Sequence, residues 1–459
     1  MCGIFSIFSS DCNILKNTFT KKESILNTIK LRGPDKTNIV QENNFLAMHT
    51  LLSITGFTEQ PILNDNFMLL YNGEIYNDYK NYNLNYSDTQ YLSAEISSKG
   101  SDAFPYLDGE FAICFYQRKS HALFLATDPF GTKPLYYQLG SNYCIVGTYA
   151  STVAACAEKG SIIQVPANTL IEISLNDYKI KAITSIREFD FSHQEVKTFE
   201  RWNQAFTKAI LKRTANTNQH CFISFSSGHD TGLIAAQMLE NKIPFHAYSI
   251  PCGEDLSILN ERIDIFKKYG INCEVFEPNE EECASMQKFL WENCETYQLI
   301  NPDSEFKNFK NPDMRQVPGY IASAIIHQKA RHDHHLISLS GQGADEVIAD
   351  YYNEYANPDM SELKGRWENV TGPWKNFFGG WNRVFLGGGE RIAGLFGIET
   401  RYPYLDLEVV QEFLNLHPEL KARVYKAPIT NRLIELGFPY HLKKYGFLGY
   451  PQRCAGKGR

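Results

Sequence analysis

The second residue of the chain is a cysteine, directly behind Met1. With so small a side chain at position 2, removal of Met1 is expected, and Cys2 would then carry a free α-amine. Such an amine titrates at about 7.7–8.0, so near neutral pH part of it can accept a proton from its own residue's thiol. A thiol with a base in the same residue is an activated nucleophile. Downstream, Arg32-Gly-Pro-Asp35 offers a guanidinium on a turn, whose planar fork can grip a carboxylate through two hydrogen bonds. In Tyr71-Asn-Gly-Glu-Ile-Tyr-Asn77, the side-chain amide of Asn72 stands beside the backbone N–H of Gly73, a pair able to stabilise a developing oxyanion. Glu74 and Asp88 can each accept from a substrate ammonium. An activated nucleophile, a carboxylate clamp, oxyanion donors and ammonium acceptors thus occur in one half of the chain.

A different chemistry is written in the other half. Ser226-Ser-Gly-His-Asp-Thr231 lies between an apolar run and a helical pattern. Small residues let backbone approach phosphates, and N–H groups at a helix start point toward them. Asp230 is wrong for holding phosphate directly and suits a Mg2+ ion bridging phosphates. The loop has no Gly-Lys-Ser/Thr ending and so is not a Walker A loop. A further strand end, Leu339-Ser-Gly-Gln-Gly-Ala-Asp-Glu346, places Ser340 and Gly341 near a nucleotide and supplies Asp345 for the same metal.

Positioning these groups takes two kinds of fold. The first half has short β-favouring runs with turn residues between them: Phe67–Tyr71, Glu110–Tyr116, Ala122–Ala126, Tyr143–Val146 and Leu170–Ile173. They read as antiparallel strands, with helices over Lys22–Lys30 and Thr89–Ser97 where apolar residues fall on one face. This α+β half ends near Asp177–Arg187, and the polar stretch Ile186–Thr198 reads as a linker. Beyond it, strands Cys221–Phe225, Phe245–Ile250, Cys273–Phe276 and Leu336–Ser340 alternate with helices Trp202–Arg213, Leu233–Asn241, Ile258–Tyr269 and Ile321–Arg331. Ser226–Gly232 reads as the loop between the first of these strands and its helix. That alternation predicts an α/β doubly wound parallel sheet, with a mostly helical end from about Asp350.

Bulk properties agree with such a chain. Its 459 residues suggest two domains, and 43% hydrophobic with 21% charged residues is ordinary globular composition. A net charge of −7 lacks the basic footprint of a nucleic-acid binder. No apolar run is long enough to span a membrane, and the start lacks the basic region of a signal peptide. Eleven cysteines without paired spacing read as free thiols in a reducing cytoplasm.

The motifs of the first half occur in a telling order: Met-Cys-Gly-Ile, Arg-Gly-Pro-Asp, Asn-Gly-Glu-Ile-Tyr-Asn, Leu107-Asp-Gly-Glu-Phe-Ala112 and Asp128-Pro-Phe-Gly-Thr-Lys-Pro-Leu-Tyr-Tyr137. Together they resemble the class II glutamine amidotransferase domain. That resemblance implies an Ntn-type αββα sandwich over 1–185, hydrolysing glutamine to glutamate and ammonia through a cysteinyl thioester. It makes Cys2 the nucleophile, Arg32 the clamp on the glutamine carboxylate, and Asn72 with Gly73 the oxyanion hole. Glu74 and Asp88 take the glutamine amino group. The loop at Ser226 resembles the PP-loop of ATP pyrophosphatases. With Glu399-Thr-Arg-Tyr-Pro-Tyr-Leu-Asp406, Lys426-Ala-Pro-Ile and Lys443-Lys-Tyr-Gly-Phe447, it forms a series similar to the synthetase domain of the asparagine synthetase B family.

By this resemblance residues 195–459 activate a carboxylate as an acyl-adenylate with Mg-ATP, releasing pyrophosphate, and ammonia arriving through an internal tunnel attacks it. ATP is implied at Ser226, Ser227, Gly228, Asp230, Thr231, Ser340 and Gly341, with Ser249 near adenine and the metal on Asp230 and Asp345. Lys426 matches the family's lysine, which neutralises charge on the phosphate and the tetrahedral intermediate. The partners implied are small molecules, with no nucleic acid and no membrane span; a homodimer is left open.

Several departures bear on the acceptor. Leu51-Leu-Ser-Ile54 lacks the arginine common before Leu-Ser-Ile, and Thr127 stands where an arginine is common. Ser227 replaces a glycine of the loop, and His229 fills its variable place. Gln342 stands where aspartate-using members carry glutamate, which removes a charge and any acid–base capacity. The chain stops soon after Phe447, where many relatives continue as helices. A Trp- and Gly-rich insertion, Trp367–Gly389, is either acceptor-shaping structure or a surface loop. Aspartate is the default acceptor, with a sugar uronic acid or natural-product carboxylate as the alternative. A β-lactam-synthetase-like cyclase and a degenerate glutamine- or ATP-binding regulator are the lesser readings.

Overall fold

The computed structural model describes residues 1–459 except 84, 158–159, 216, 218, 252, 303–310, 351–362 and 442–459. The expected motif Lys443–Phe447 therefore lies outside the described residues. The chain divides into two compact units, with the main boundary between Glu188 and Phe189.

The strands of the first unit are β1 (Gly3–Ser9), β2 (Lys36–Gln41), β3 (Phe45–Leu51), β4 (Ile62–Leu63), β5 (Phe67–Ile75), β6 (Gly109–Gln117), β7 (Ala122–Thr127), β8 (Tyr136–Leu139), β9 (Tyr143–Gly147), β10 (Ile163–Gln164), β11 (Thr169–Ser174) and β12 (Lys179–Ser185). Its helices are α1 (Cys12–Thr20), α2 (Lys22–Ile29), α3 (Asp88–Lys99) and α4 (Ala150–Ala154). The strands form two six-stranded antiparallel sheets, ordered β10-β8-β9-β1-β3-β2 and β12-β11-β7-β6-β5-β4.

Alternation along each strand sends one set of side chains between the sheets and the other outward. Ile4, Phe8, Phe45 and Ala47 meet Met68, Leu70, Cys114 and Leu125 in the inter-sheet core. On the outer face of the first sheet Phe5, Ile7, Leu46 and Met48 pack on Ile25, Leu26 and Ile29 of α2. On the outer face of the second, Leu69, Phe111, Ile113 and Phe115 pack on Leu92 and Ile96 of α3. This is an αββα sandwich. Because both faces of its central strands are covered, they read as unbroken apolar runs.

The second unit holds a five-stranded sheet of β13 (His220–Ser224), β14 (His246–Ser249), β15 (Asn272–Val275), β16 (His335–Leu339) and β17 (Glu399–Arg401), all neighbours parallel. The order is β15-β14-β13-β16-β17, so the winding reverses between β13 and β16. In a doubly wound sheet the crevice at the carboxyl ends of two such strands is where ligands bind. Helices α5 (Glu200–Thr214), α6 (His229–Glu240), α7 (Leu256–Lys268), α8 (Glu280–Asn293) and α9 (Pro318–His332) alternate with these strands. Then come α10 (Lys375–Phe378), α11 (Gly380–Leu395), α12 (Leu407–Asn415), α13 (Pro418–Lys421) and α14 (Ala427–Glu435), the expected helical end.

Two local expectations need correction. Ser226–Gly232 is loop only as far as Gly228: helix α6 begins at His229, with Gly228 as its N-cap. The stretch read as a linker holds the boundary between the units, and within it Phe189 and Phe191 pack on Phe377 with ring centroids 5.4 and 5.2 Å apart. Trp367–Gly389 is no surface loop; Trp367, Trp374 and Trp381 are buried, and Gly387–Gly389 lie inside α11. Glycine costs about 1 kcal/mol in a helix relative to alanine, so three together need a reason. A Cβ on Gly387 would meet the Tyr297 hydroxyl at 2.3 Å, one on Gly388 the Tyr320 hydroxyl at 2.3 Å, and one on Gly389 the Gln342 amide oxygen at 3.0 Å.

Candidate active sites

In the first unit, β1 follows Cys2 directly, and β5 brings Asn72, Gly73 and Glu74 in succession. The Cys2 backbone N–H donates to Asn72 Oδ1 at 2.8 Å. This contact orients the amide, and Asn72 Nδ2 is buried with no acceptor among the described residues. A buried unpaired donor costs about 1–3 kcal/mol, and this one belongs to the amide that the Cys2 backbone holds. Gly73 has φ +151°, and a Cβ there would lie 2.0 Å from the Glu110 carbonyl oxygen; only glycine fits. The Cys2 thiol faces the Leu52 carbonyl at 3.9 Å.

Arg32 is buried and also converges on Cys2. Its Nε donates to the Cys2 carbonyl at 3.0 Å, its Nη1 to Tyr149 Oη at 2.6 Å and its Nη2 to Met1 Sδ at 3.2 Å. The guanidinium also lies over the Tyr149 ring. With Met1 attached, the thioether takes one fork of the guanidinium. Glu74 Oε1 accepts from Thr55 Oγ1 at 2.7 Å, and Asp88 Oδ2 accepts from Tyr71 Oη at 2.6 Å and from the Ile75 N–H at 3.3 Å. Asp88 opens α3, whose Ser87 cap and Gln90 form a capping box. The positions lacking the family's arginines are filled locally: Leu51 is buried at the end of β3, and Thr127 Oγ1 donates to the Pro166 carbonyl.

In the second unit, three distant segments meet at the reversal between β13 and β16. Lys426 Nζ lies 2.5 Å from Asp230 Oδ1 and 3.0 Å from Asp345 Oδ1. Burial pulls the ammonium's pKa down, but the two carboxylates outweigh it and hold it above its ordinary value. Lys426 itself sits at φ +49°, a left-handed conformation strained for a side-chain-bearing residue and retained here just before α14. Tyr425 Oη donates to Asp345 Oδ1 at 2.7 Å. Gly341 is required at its place, because a Cβ would lie 2.7 Å from that of Asp230. The paired carboxylates are hard oxygen donors already sharing one cation, the ammonium. That donor set fits Mg2+.

The phosphate-type loop is tied from several sides. Ser226 Oγ meets Thr231 Oγ1 at 2.9 Å and accepts from the Gly228 N–H at 3.2 Å. Ser227, which replaces a glycine of the loop, uses its hydroxyl: it bonds Glu254 and accepts from the Asp255 N–H at 3.1 Å. Its own N–H donates to Glu254 Oε2 at 2.6 Å. His229 is buried, and burial, with Lys426 and Arg262 nearby, pushes its pKa down to about 3, so the imidazole is neutral.

A cavity of about 440 Å³ opens at the same strand ends. Phe225, Ser226, Ile250, Ser340 and Gly341 line it, together with Tyr320, Gln342, Phe385 and Gly389. Ser249, expected near adenine, is buried at the end of β14; strand alternation gives the cavity its neighbour Ile250 instead. Gln342 Nε2 donates to the Phe385 carbonyl at 3.3 Å. Sequence reasoning missed Arg262, Glu254 and Tyr425. Only Arg262 left a trace, as the polar member of the buried stripe Leu259–Arg262–Phe266 on α7.

Residues 1–205 match the glutamine amidotransferase domain family. Over 450 residues, 92% of this chain, the sequence is 33% identical to a probable glutamine-hydrolysing asparagine synthetase of Dictyostelium discoideum, covering 77% of that protein. It is 22% identical to the glutamine-hydrolysing asparagine synthetase of Rattus norvegicus, covering 95% of this chain and 81% of that one. The match to asparagine synthetase 3 of Bacillus subtilis, also 22% identical, covers 76% and 63%. The chain belongs to the glutamine-hydrolysing asparagine synthetase family, a family of enzymes. Among the described residues no helix is long and apolar enough to cross a membrane, and nine cysteines are free thiols.

Proposed function

We propose that the chain is an ATP-dependent, glutamine-hydrolysing amide ligase. Once Met1 is gone, the Cys2 amine takes the thiol proton, and the sulfur attacks the side-chain amide carbon of glutamine. Asn72 Nδ2 and the Gly73 N–H receive the oxyanion, Arg32 the α-carboxylate, and Glu74 and Asp88 the ammonium. The amide nitrogen leaves as ammonia, and water cleaves the thioester to glutamate. In the second unit Ser226, Ser227, Gly228, Thr231, Ser340 and Gly341 bind ATP, with Ser249 behind the cavity wall. Mg2+ held by Asp230 and Asp345 would neutralise phosphate charge. An acceptor carboxylate oxygen attacks the α-phosphate and pyrophosphate departs. Ammonia then attacks the acyl carbon and AMP departs. Lys426 stabilises the charge built up in both steps.

The observation carrying this reading is the meeting of Lys426, Asp230 and Asp345 at the sheet's reversal point. Aspartate is the default acceptor. The neutral Gln342 amide beside Phe385 and Gly389 favours a second reading, in which a sugar uronic acid or other specialised carboxylate takes its place. We place the enzyme in the cytoplasm. Pyrophosphate release from Mg-ATP and glutamine, with and without aspartate, tests the proposal. Aspartate-dependent pyrophosphate and asparagine are expected. Failure with aspartate but success with another carboxylate selects the second reading, and no ATP cleavage with any carboxylate rejects both.

A further inference from the structure

Arg262 is an arginine with no exposed surface, on the buried stripe of α7. Its Nη1 donates to two carbonyls of the phosphate-type loop, Ser226 at 2.7 Å and Gly228 at 2.9 Å. Its Nε donates to the Pro439 carbonyl at 2.8 Å, and the guanidinium lies against the rings of Phe225 and Phe438. Room for it comes from Gly232, where a Cβ would sit 2.6–2.8 Å from three guanidinium atoms. Removing this side chain's charge from water is costly, so the contacts it makes must offset that cost.

The geometry of the peptide bond says what those contacts do. A trans peptide is planar, so its C=O and N–H point in opposite directions. Holding the Ser226 carbonyl toward Arg262 turns the Ser227 N–H the other way, and holding the Gly228 carbonyl does the same for the His229 N–H. The Ser227 N–H does meet an anion on that side, the carboxylate of Glu254 at 2.6 Å. The His229 N–H belongs to the first turn of α6, where helical N–H groups have no intrahelical partner.

We propose that Arg262, in the space left by Gly232, is a positioning residue that fixes the loop's backbone, with the Ser227 N–H held on Glu254 and the His229 N–H preset toward the phosphates of ATP. This rests on reading the loop as the ATP phosphate seat. Arginine suits the task because its rigid planar fork holds carbonyls of two segments at once, which a lysine ammonium on its flexible stem does not. Arg262 touches no substrate; it acts through the loop.

The test is Mg-ATP binding by calorimetry on the full chain, with glutamine hydrolysis and thermal melting as controls. Hydrogen bonds to a charged group are worth enough that Arg262→Met is expected to weaken Mg-ATP binding about tenfold or more. Glutamine hydrolysis should be unchanged, and Arg262→Lys should recover part of the loss. The defect should appear in the ATP KM more than in kcat at saturating ATP. Gly232→Ala displaces the guanidinium and should weaken binding too, while Gly232→Ala with Arg262→Met should be no worse than Arg262→Met alone. Wild-type affinity in a folded Arg262→Met, or a double variant whose defect is the product of the two singles, would overturn the clamp. Should Arg262→Met not fold, Gly232→Ala decides, with wild-type affinity overturning the proposal. A wild-type protein that binds no Mg-ATP would instead remove the reading on which the clamp rests.

Discussion

Cys2 and Asn72, 70 residues apart, are joined by one backbone-to-amide bond inside a sandwich. Lys426 and Asp230, 196 residues apart, are joined by charge at the carboxyl ends of a parallel sheet's central strands. In the first site strand backbone supplies the geometry: Asn72 and Gly73 are successive residues of β5, paired with Ala112 and Phe111 of β6. In the second, the first turn of α6, the segment after β16 and the residue before α14 are drawn together by two carboxylates and an ammonium. A backbone-built site should lose chemistry without losing structure when one side chain is removed. A charge-built site should lose both, because a buried charge left alone is costly.

The sharpest separation of the two is Cys2→Ala. We expect glutamate formation to fall about 10⁴-fold or more, while ammonium-driven ATP cleavage persists. The melting curve should stay where it was. Loss of both activities would mean that the sites do not work as separate units of chemistry.

Next in size is Asp406→Asn, which tests the charge-built character of the second unit. Asp406 Oδ2 lies 2.5 Å from Lys212 Nζ and 2.6 Å from Arg213 Nη1, all three buried. Burial pushes the carboxyl's pKa up, but Lys212 and Arg213 outweigh it and hold the group at about 2, below its ordinary 3.8. A lowered carboxyl pKa stabilises fully above its unfolded value and loses that contribution as the pH falls through the folded one. Denaturant melts should therefore show Asp406→Asn less stable by about 3–5 kcal/mol at pH 7, with the gap narrowing by about 2 kcal/mol between about pH 4 and 2. A gap independent of pH would contradict the ion-pair account.

Lys426→Met should reduce pyrophosphate release about 10²–10³-fold with glutamine hydrolysis untouched. Its melting temperature should also fall, because Asp230 and Asp345 are left facing each other. Asn72→Ala is the counterpart in the first site: about a 10²-fold drop in kcat for glutamine hydrolysis. KM should change little there, since Nδ2 is unpaired before the oxyanion forms. The smallest effect is expected at Gly388→Ala, which drives a methyl into the Tyr320 hydroxyl. It should destabilise by about 1–3 kcal/mol, and Tyr320→Phe in the same chain should relieve part of this.

The first site was the more legible from sequence, for a physical reason. Asn72, Gly73 and Glu74 are contiguous, so a run of letters carries their geometry, and apolar strands covered on both faces announce themselves. The second site was visible as separate motifs, but what holds it together was not. Arg262 read as one more polar residue of a helix, though it interrupts the buried stripe of Leu259 and Phe266. The start of α6 was hidden because Ser-Ser-Gly-His-Asp-Thr-Gly has the composition of a turn. Gly387–Gly389 was obscured for the opposite reason: local propensity says loop, and only Tyr297, Tyr320 and Gln342 pressing on α11 explain why glycine is used inside a helix. Ser249 is buried at the end of β14, and its neighbour Ile250 lines the cavity.

The most direct test of two separable chemistries in one chain is a paired assay on wild-type and Cys2→Ala protein. Glutamate from glutamine, and AMP with pyrophosphate from Mg-ATP, would be measured in the same tube. Aspartate, and then other carboxylates, would be offered as acceptor, with ammonium chloride as the alternative nitrogen source. The account predicts that wild-type protein forms AMP and pyrophosphate with glutamine or ammonium, and that Cys2→Ala does so with ammonium alone. ATP cleaved to ADP and phosphate, or no nucleotide cleavage with any carboxylate while glutamine is still hydrolysed, would contradict it.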